Sequence, residues 1–451
     1  MLFLKRRRLI LWLFKAYLRK WGKTIVISVV LGLIIFFIIR FCLNVFIPLL
    51  PFSRQETVGM VGAYNVDNLP VSILENVSMG LTKIDDKDQV KPGAAASWEI
   101  KDDGKVYVFH LRKDLYFTDG EKLTSDSVRY NFSDVATERT DNYTITYKLK
   151  SSYAPFLVTV SQPIFKKNFV GLGSYKVSSI NINGNFVQSI NLLSTKDLNK
   201  ELSYQFYPTN ESVKTAYVLG EITDATNLAD VNYKQTTFYT FKNADVQKKV
   251  DTQVLTTLFF NVLDKDLSDK RLREALSYAI PDSFTQGQRN YGPFLPNSWV
   301  DQGNLQKNTE DLKHAKTLMG LTASASSGLK IELKTLPQYQ SLAQVIKNEW
   351  KLIGVDVTIK TVQTLPANFQ VFLGEFMLSQ DPDQYTLWHS DQPNNITNYK
   401  NLRIDKLLED GRQTTDIAQR QKIYADFQKY FLDDPPAIFL MFPYRYDLNK
   451  I

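Results

Sequence analysis

Cysteine and histidine are almost missing from this chain: among 451 residues there is one cysteine, Cys42, and there are three histidines, His110, His314 and His389. Cys42 lies in a long apolar run, so everything beyond that run lacks internal disulfides, thiolate nucleophiles and thiolate metal ligands. The histidines fall in three different predicted elements and supply no His-rich metal pair, and neither a glycine-rich phosphate loop nor a nucleophile elbow occurs. These absences argue against an enzyme and predict no cofactor and no metal. Without disulfides, stability must come from core size, for which about 400 residues are ample. Low-complexity sequence is also scarce; Ala-Ser-Ala-Ser-Ser-Gly at 323–328 reads as a surface loop.

Acidic residues are missing from positions 1–54, which hold ten Lys and Arg. Removing those ten turns the formal net charge of +7 into −3 for residues 55–451, so the basic balance belongs to the N-terminus and nucleic acid is not an expected partner. Ile25 to Ile39 is apolar apart from Ser28 and Gly32, and after Arg40 the run resumes as far as Phe52. Residues 24–50 are long enough to cross a bilayer as one tilted helix. Eight Lys and Arg lie between Lys5 and Lys23, which puts the N-terminus in the cytoplasm, everything after Phe52 outside, and residues 1–23 along the cytoplasmic lipid surface as a basic amphipathic segment. A cleaved secretory signal is disfavoured because the apolar run is too long and the small-residue site Val61-Gly62-Ala63 lies well past it. Cys42 follows Arg40-Phe41, not the small residues that precede a lipid-modified cysteine.

Past the membrane the pattern is α/β. Thr57 to Tyr64 reads as a strand, and Trp98-Glu-Ile, Asp102-Asp103-Gly104 and Val106–Leu111 read as strand, tight turn, strand, with Val106, Val108 and His110 alternating with Tyr107, Phe109 and Leu111. Thr124-Ser125-Asp126-Ser127 offers an N-cap for a helix carrying Val128, Tyr130 and Phe132. Further helices are expected over 268–280, 309–318 and 341–352, the last stopped by Gly354, followed by a strand over 355–362.

The order Trp98, Asp103-Gly104, Phe109-His-Leu-Arg112, Phe117, Asp119-Gly120 and Asp126-Ser-Val128 resembles the family 5 extracellular solute-binding proteins, the dipeptide and oligopeptide receptors of ABC importers. Tyr153-Ala-Pro-Phe156, Gly171-Leu-Gly173, Phe260-Asn261, Arg271-Leu-Arg273-Glu-Ala275 and Gly292-Pro293 extend the likeness. The resemblance implies a periplasmic-binding-protein type II-like α/β fold of two large lobes plus a small lobe, here preceded by one transmembrane helix. It implies a first large lobe from 53–78, 163–245 and 429–451, a small lobe from 79–162 and a second large lobe from 246–428. Relatives usually continue for several tens of residues beyond the position of Ile451, so either the sequence is truncated or its first lobe is reduced.

Residues Gly374 to Asn401 have the make-up of a ligand wall: an apolar strand, a turn at Asp381-Pro382-Asp383, then Tyr385, Trp388 and His389 among hydroxyl and amide side chains. In the family this strand pairs with the backbone of a bound peptide, which implies that role for Gly374, Phe376 and Leu378. Many peptide-binding relatives carry an Asp for the ligand's α-ammonium where this chain has Leu378, so either Asp381 or Asp383 takes over or the ligand lacks that amine. The two carboxylates also suit a turn, and Tyr385 with Trp388 suits a short core helix as well as a stacking platform. The expected function is the extracytoplasmic substrate-binding component of an ABC importer. Its partners are a peptide or similar extended solute, an ABC permease and the lipid bilayer at 24–50. The alternatives are a tethered sensor of the same fold or a peptide or glycan hydrolase using Asp381 and Asp383.

Overall fold

The computed structural model describes residues 2–46, 54–85, 87–197, 199–296, 298–300, 308–322 and 328–451. Leu2–Phe46 form one unbroken helix, within which Arg19–Phe41, 23 residues with a mean hydropathy of 2.7, is long and apolar enough to cross a membrane. The expected break between a surface segment at 1–23 and a crossing helix at 24–50 is absent. No proline precedes Pro48, and Gly22 alone is not enough to stop a helix. Residues 47–50 of the expected span, and 323–327 of the expected surface loop, lie outside the described residues.

Gln55–Asp197 with Glu201–Ile451 form one compact unit. Among the described residues its largest sheet has 12 strands; ten lie on the path Asp356–Thr361, Lys330–Thr335, Val371–Met377, Val254–Phe260, Ala437–Lys450, Asp224–Leu228, Arg54–Val61, Lys200–Tyr207, Phe186–Ser194, Tyr175–Asn183, and Ala244–Val250 and Gly287–Arg289 pair with Ala437–Lys450 off it. Val254–Phe260 is the central strand, and all seven of its residues are buried. Its run of Val, Leu, Thr and Phe is what a strand covered on both faces requires. Leu258 and Phe260 face a core with Leu272, Leu276, Ile346 and Trp350. Leu255 and Phe259 face the opposite core with Phe376, Trp388, Leu408, Tyr424 and Phe431.

The C-terminal strand Ala437–Lys450 belongs to both large lobes. Ala437 to Met441 pair with the central strand, and Tyr444 to Lys450 pair antiparallel with Ala244–Val250, in a register that sets Val250 opposite Tyr444. Phe431 and Ala437 to Phe442 pack in the cores of the second lobe, so the return into the first lobe comes at Pro443-Tyr444 and not at 429. Pro443 cannot donate to a ladder, which suits a crossing point. There its carbonyl accepts from Asp251 N–H at 2.9 Å, and Arg445 pairs with Asp251 at 3.3 Å.

A separate sheet of Ala95–Lys101, Val106–Leu111, Thr144–Leu149 and Val135–Asp141, in that spatial order, builds the small lobe. Tyr107, Phe109 and Leu111 point into its core, as their alternation predicts. The turn uses positive φ at Asp103 and Gly104, 52° and 88°, the second readily adopted only by glycine. The helix expected after Thr124 does not form. Ser125–Ser127 make one 3-10 turn and Val128 is already extended. The Arg139 guanidinium takes the carbonyls of Ser125 at 2.8 Å and Val128 at 2.9 Å, which a helix would have used for itself.

Trp350 anchors the core of the second lobe: it is fully buried and its Nε1–H donates to the Leu276 carbonyl at 3.0 Å. Trp350→Ala should lower the unfolding free energy by about 3–5 kcal/mol. Urea unfolding of the full chain in detergent measures this, and a loss below about 1 kcal/mol would contradict such an anchor.

Candidate functional site

The strand Val371–Met377 forms the floor of the candidate site. It pairs antiparallel along its whole length with the central strand, but its parallel partner Lys330–Thr335 accompanies it only from Val371 to Leu373. After Thr335 the chain turns away through Leu336 and Pro337 into the helix Gln340–Leu352. Leu378 N–H donates to the Gln253 carbonyl at 2.8 Å. Antiparallel ladders alternate, so Phe376 and Gly374 also direct their backbone groups to the central strand, whereas Glu375 and Met377 direct theirs to the other side. Beyond Leu373 no strand lies on that side among the described residues. The outward backbone groups therefore fall at Glu375 and Met377, one residue out of phase with the expected Gly374, Phe376 and Leu378. Gly374 is needed for space, since a Cβ there would lie 2.4 Å from the Phe372 ring.

The Asp381-Pro382-Asp383 turn ends this floor, and both carboxylates are engaged. Asp381 takes a bidentate pair from Arg420 at 2.7 and 2.6 Å, with both side chains about 6% exposed, and it also accepts from Asp383 N–H at 2.9 Å. Arg420 Nε–H donates to the Gly411 carbonyl at 2.6 Å. Burial acts to lower the Arg420 pKa, but the Asp381 charge outweighs it and the guanidinium titrates above its ordinary value. Asp383 accepts from Arg412 Nε–H at 2.8 Å and from Tyr385 N–H at 3.0 Å. Arg412 in turn lies 4.2 Å over the Tyr385 ring and 5.4 Å from that of Tyr153 in the small lobe. Each carboxylate is thus paired with an arginine.

Tyr385–Trp388 is a single helical turn. Trp388 is 2% exposed, packs on Phe259, Phe376, Phe431 and Phe439, and donates its Nε1–H to Gln384 Oε1 at 2.8 Å. Tyr385 stacks on His389 at 4.2 Å, and His389 is buried with its Nε2 3.4 Å from Glu409. Asn395 locks the loop by donating to the carbonyls of Trp388, His389 and Tyr399. Of the aromatic trio expected to face a ligand, Trp388 lines one of the cavities beside the floor.

Among the described residues, cavities lie along the floor and the turn that ends it. One of about 350 Å³ lies off the free edge, between Phe259, Leu336, Phe372, Phe376, Trp388 and Ile396, with Glu375 on its wall. Another, about 330 Å³, lies along Gln253, Phe294, Trp299, Leu378, Asp381 and Gln384. A third, about 400 Å³, opens between Trp98, Ile100 and Val158 of the small lobe and Trp299, Ile417 and Arg420 of the second lobe. Among the described residues no group of three His, Cys, Asp or Glu side chains could hold a metal. Sequence reasoning passed over Glu375, Arg412 and Arg420. Glu375 was detectable as the only charged residue of an apolar strand, whereas the arginines lie on helices distant in sequence.

A strand edge and cavities set between α/β lobes joined by crossing strands define a solute receptor of the periplasmic-binding type. The sequence profile of bacterial extracellular solute-binding proteins, family 5 Middle, matches residues 89–398, and the chain belongs to that family. The oligopeptide-binding protein AppA of Bacillus subtilis is 24% identical over 463 aligned residues, covering 84% of this chain and 83% of AppA. The ABC transporter substrate binding protein CtaP of Listeria monocytogenes has a similar structure, with a TM-score of 0.74 at 20% identity over 88% of this chain and 94% of that one. NikZ of Campylobacter jejuni, in complex with Ni(L-His), gives 0.71 at 21% identity with the same coverage.

Asp381→Asn should destabilise the fold by about 3–5 kcal/mol, because Arg420 stays buried without its counter-charge. Asp383→Asn should cost less, about 1 kcal/mol, since Arg412 is partly exposed. Urea unfolding of the two variants decides this, and the reverse order of losses would contradict it.

Proposed function

We propose that this protein is the extracytoplasmic substrate-binding component of an ABC importer, that Arg19–Phe41 tethers it to the cytoplasmic membrane, and that it captures oligopeptides or similarly extended solutes. The observation that carries the reading is the open edge at Glu375 and Met377. An extended ligand backbone laid there would continue the sheet by strand addition, which gives affinity largely independent of side-chain sequence. The cavities on either side offer room for ligand side chains. The name of AppA as an oligopeptide-binding protein supports the ligand class.

Closure is expected about the antiparallel pair Ala244–Val250 and Tyr444–Lys450, where the chain crosses between the large lobes. A ligand favours the closed form only through contacts that the open form lacks, so it must touch both lobes. The eight basic residues before Thr24 favour a cytoplasmic N-terminus. Tethering confines the receptor to the plane of its permease and raises its effective concentration there. With Asp381 and Asp383 held by arginines, no catalytic role is assigned to them.

Native mass spectrometry of the full chain released from detergent tests the ligand class. Co-purified peptides of mixed sequence, displaced by an added oligopeptide, are the expected result. A single non-peptide metabolite that peptides fail to displace would overturn the reading.

A further inference from the structure

The cavity of about 330 Å³ begins where the floor ends, with Leu378, Ser379, Gln380 and Asp381 on its wall directly after Met377. Leu378 shares its parity with Phe372 and Phe376, so this cavity and the aromatic one lie along the same face of the strand. The same wall includes Asp88, from the turn between Thr82–Ile84 and Val90–Pro92 that precedes the small-lobe sheet. Asp88 also borders the cavity of about 400 Å³ between the small and second lobes, so it stands where the two spaces meet.

The turn itself makes no use of the Asp88 carboxylate. Asp85 holds the turn together, accepting from the N–H groups of Lys87 at 3.0 Å and Gln89 at 2.9 Å, and it takes the charge of Lys91 at 3.4 Å. Asp88 fills the left-handed position of the turn, with φ at 57°. Its carboxylate is partly buried, and among the described residues it has no hydrogen bond or ion pair. Burial foremost, and then the neighbouring Asp85 charge, pushes its pKa up, as befits a carboxylate without a counter-charge. Asp381, the other charged side chain on the wall of the smaller cavity, is cancelled by Arg420. Lys91 and Arg420, which border the larger one, are held by Asp85 and Asp381.

An uncompensated carboxylate on a partly enclosed wall favours a cation, which removes the charge penalty and makes a charge-assisted hydrogen bond. A metal ion would want several carboxylates, and among the described residues no group of three His, Cys, Asp or Glu side chains is assembled. An organic ammonium or guanidinium needs one carboxylate, and the amide oxygens of Gln253 and Gln380 on the same wall can take its remaining protons. We propose that Asp88 is a specificity-determining residue that receives a cationic group of the solute, a terminal ammonium or the head of a Lys or Arg side chain, beyond the end of the floor. The inference rests on the strand-addition reading and adds to it a charge preference supplied by the small lobe.

Isothermal titration of the full chain in detergent tests it in two arms. The first compares an alanine pentapeptide with its N-acetylated form, and the second moves one Lys through the acetylated peptide against norleucine at the same position. The cationic member should bind about tenfold tighter in the first arm if the group is the terminal ammonium, or at one position of the second if it is a side chain. Asp88→Asn should reduce that ratio to within about twofold. Asn also adopts positive φ readily, so this variant is expected to fold, and an unchanged urea midpoint verifies it. Asp134→Asn, which removes the same charge from an exposed pair with Lys150, should keep the full ratio. If peptides bind but neither arm shows more than about a twofold preference, or the preference persists in Asp88→Asn or is lost equally in Asp134→Asn, this inference is overturned and strand addition survives. If no peptide binds in any form, both are overturned.

Discussion

The bidentate pair between Asp381 and Arg420 is the constraint from which the geometry of the site follows. Both side chains are removed from water, and the pair ties the end of the strand Val371–Met377 to the helix Ile417–Asp433. Arg420 also binds the Gly411 carbonyl of the preceding helix, so three elements meet at one guanidinium. A buried charge left alone is costly, and this makes the joint all-or-none. It fixes where the floor of the site stops and holds the Asp381 carboxylate in an ion pair on the cavity wall. Asp383 and Arg412 repeat the device at lower burial, and Arg412 carries it to Tyr153 of the small lobe.

With the end of the strand fixed, its middle can remain open. Lys330–Thr335 leaves after Leu373, and the sheet acquires an internal edge at Glu375 and Met377. Exposed edges invite pairing with other chains. Here the edge is short and bordered by the cavities, and it carries one charge, which suits a controlled use of the same tendency. The crossing of Val250 with Tyr444 lies in the same sheet, so ligand contact and lobe movement share one set of strands.

Much of the fold was legible in the sequence because it rests on periodic or punctuating residues: the alternation of Tyr107, Phe109 and Leu111, the Asp-Gly turn at 103–104, and the apolar stripe of Leu272, Ala275, Leu276 and Ala279. The helix expected after Thr124 failed because Arg139, distant in sequence, claims the carbonyls that the helix needed. The segment 374–401 stands out in the sequence, but only by composition. Composition cannot tell that Trp388 turns into a core of phenylalanines while Glu375 turns to an open edge. That distinction depends on pairing parity and on where a neighbouring strand ends. The ion-pair partners of Asp381 and Asp383 lie 39 and 29 residues downstream, beyond the reach of any local pattern.

Strand addition is tested most directly by residue-resolved hydrogen exchange of the backbone amides from Gly374 to Leu378, with and without a saturating oligopeptide. Gly374, Phe376 and Leu378 face the central strand and should be protected in both states, whereas Glu375 and Met377 should exchange rapidly in the free protein and become protected when ligand binds. Unchanged exchange at Glu375 and Met377 on saturation would contradict the use of this edge for binding.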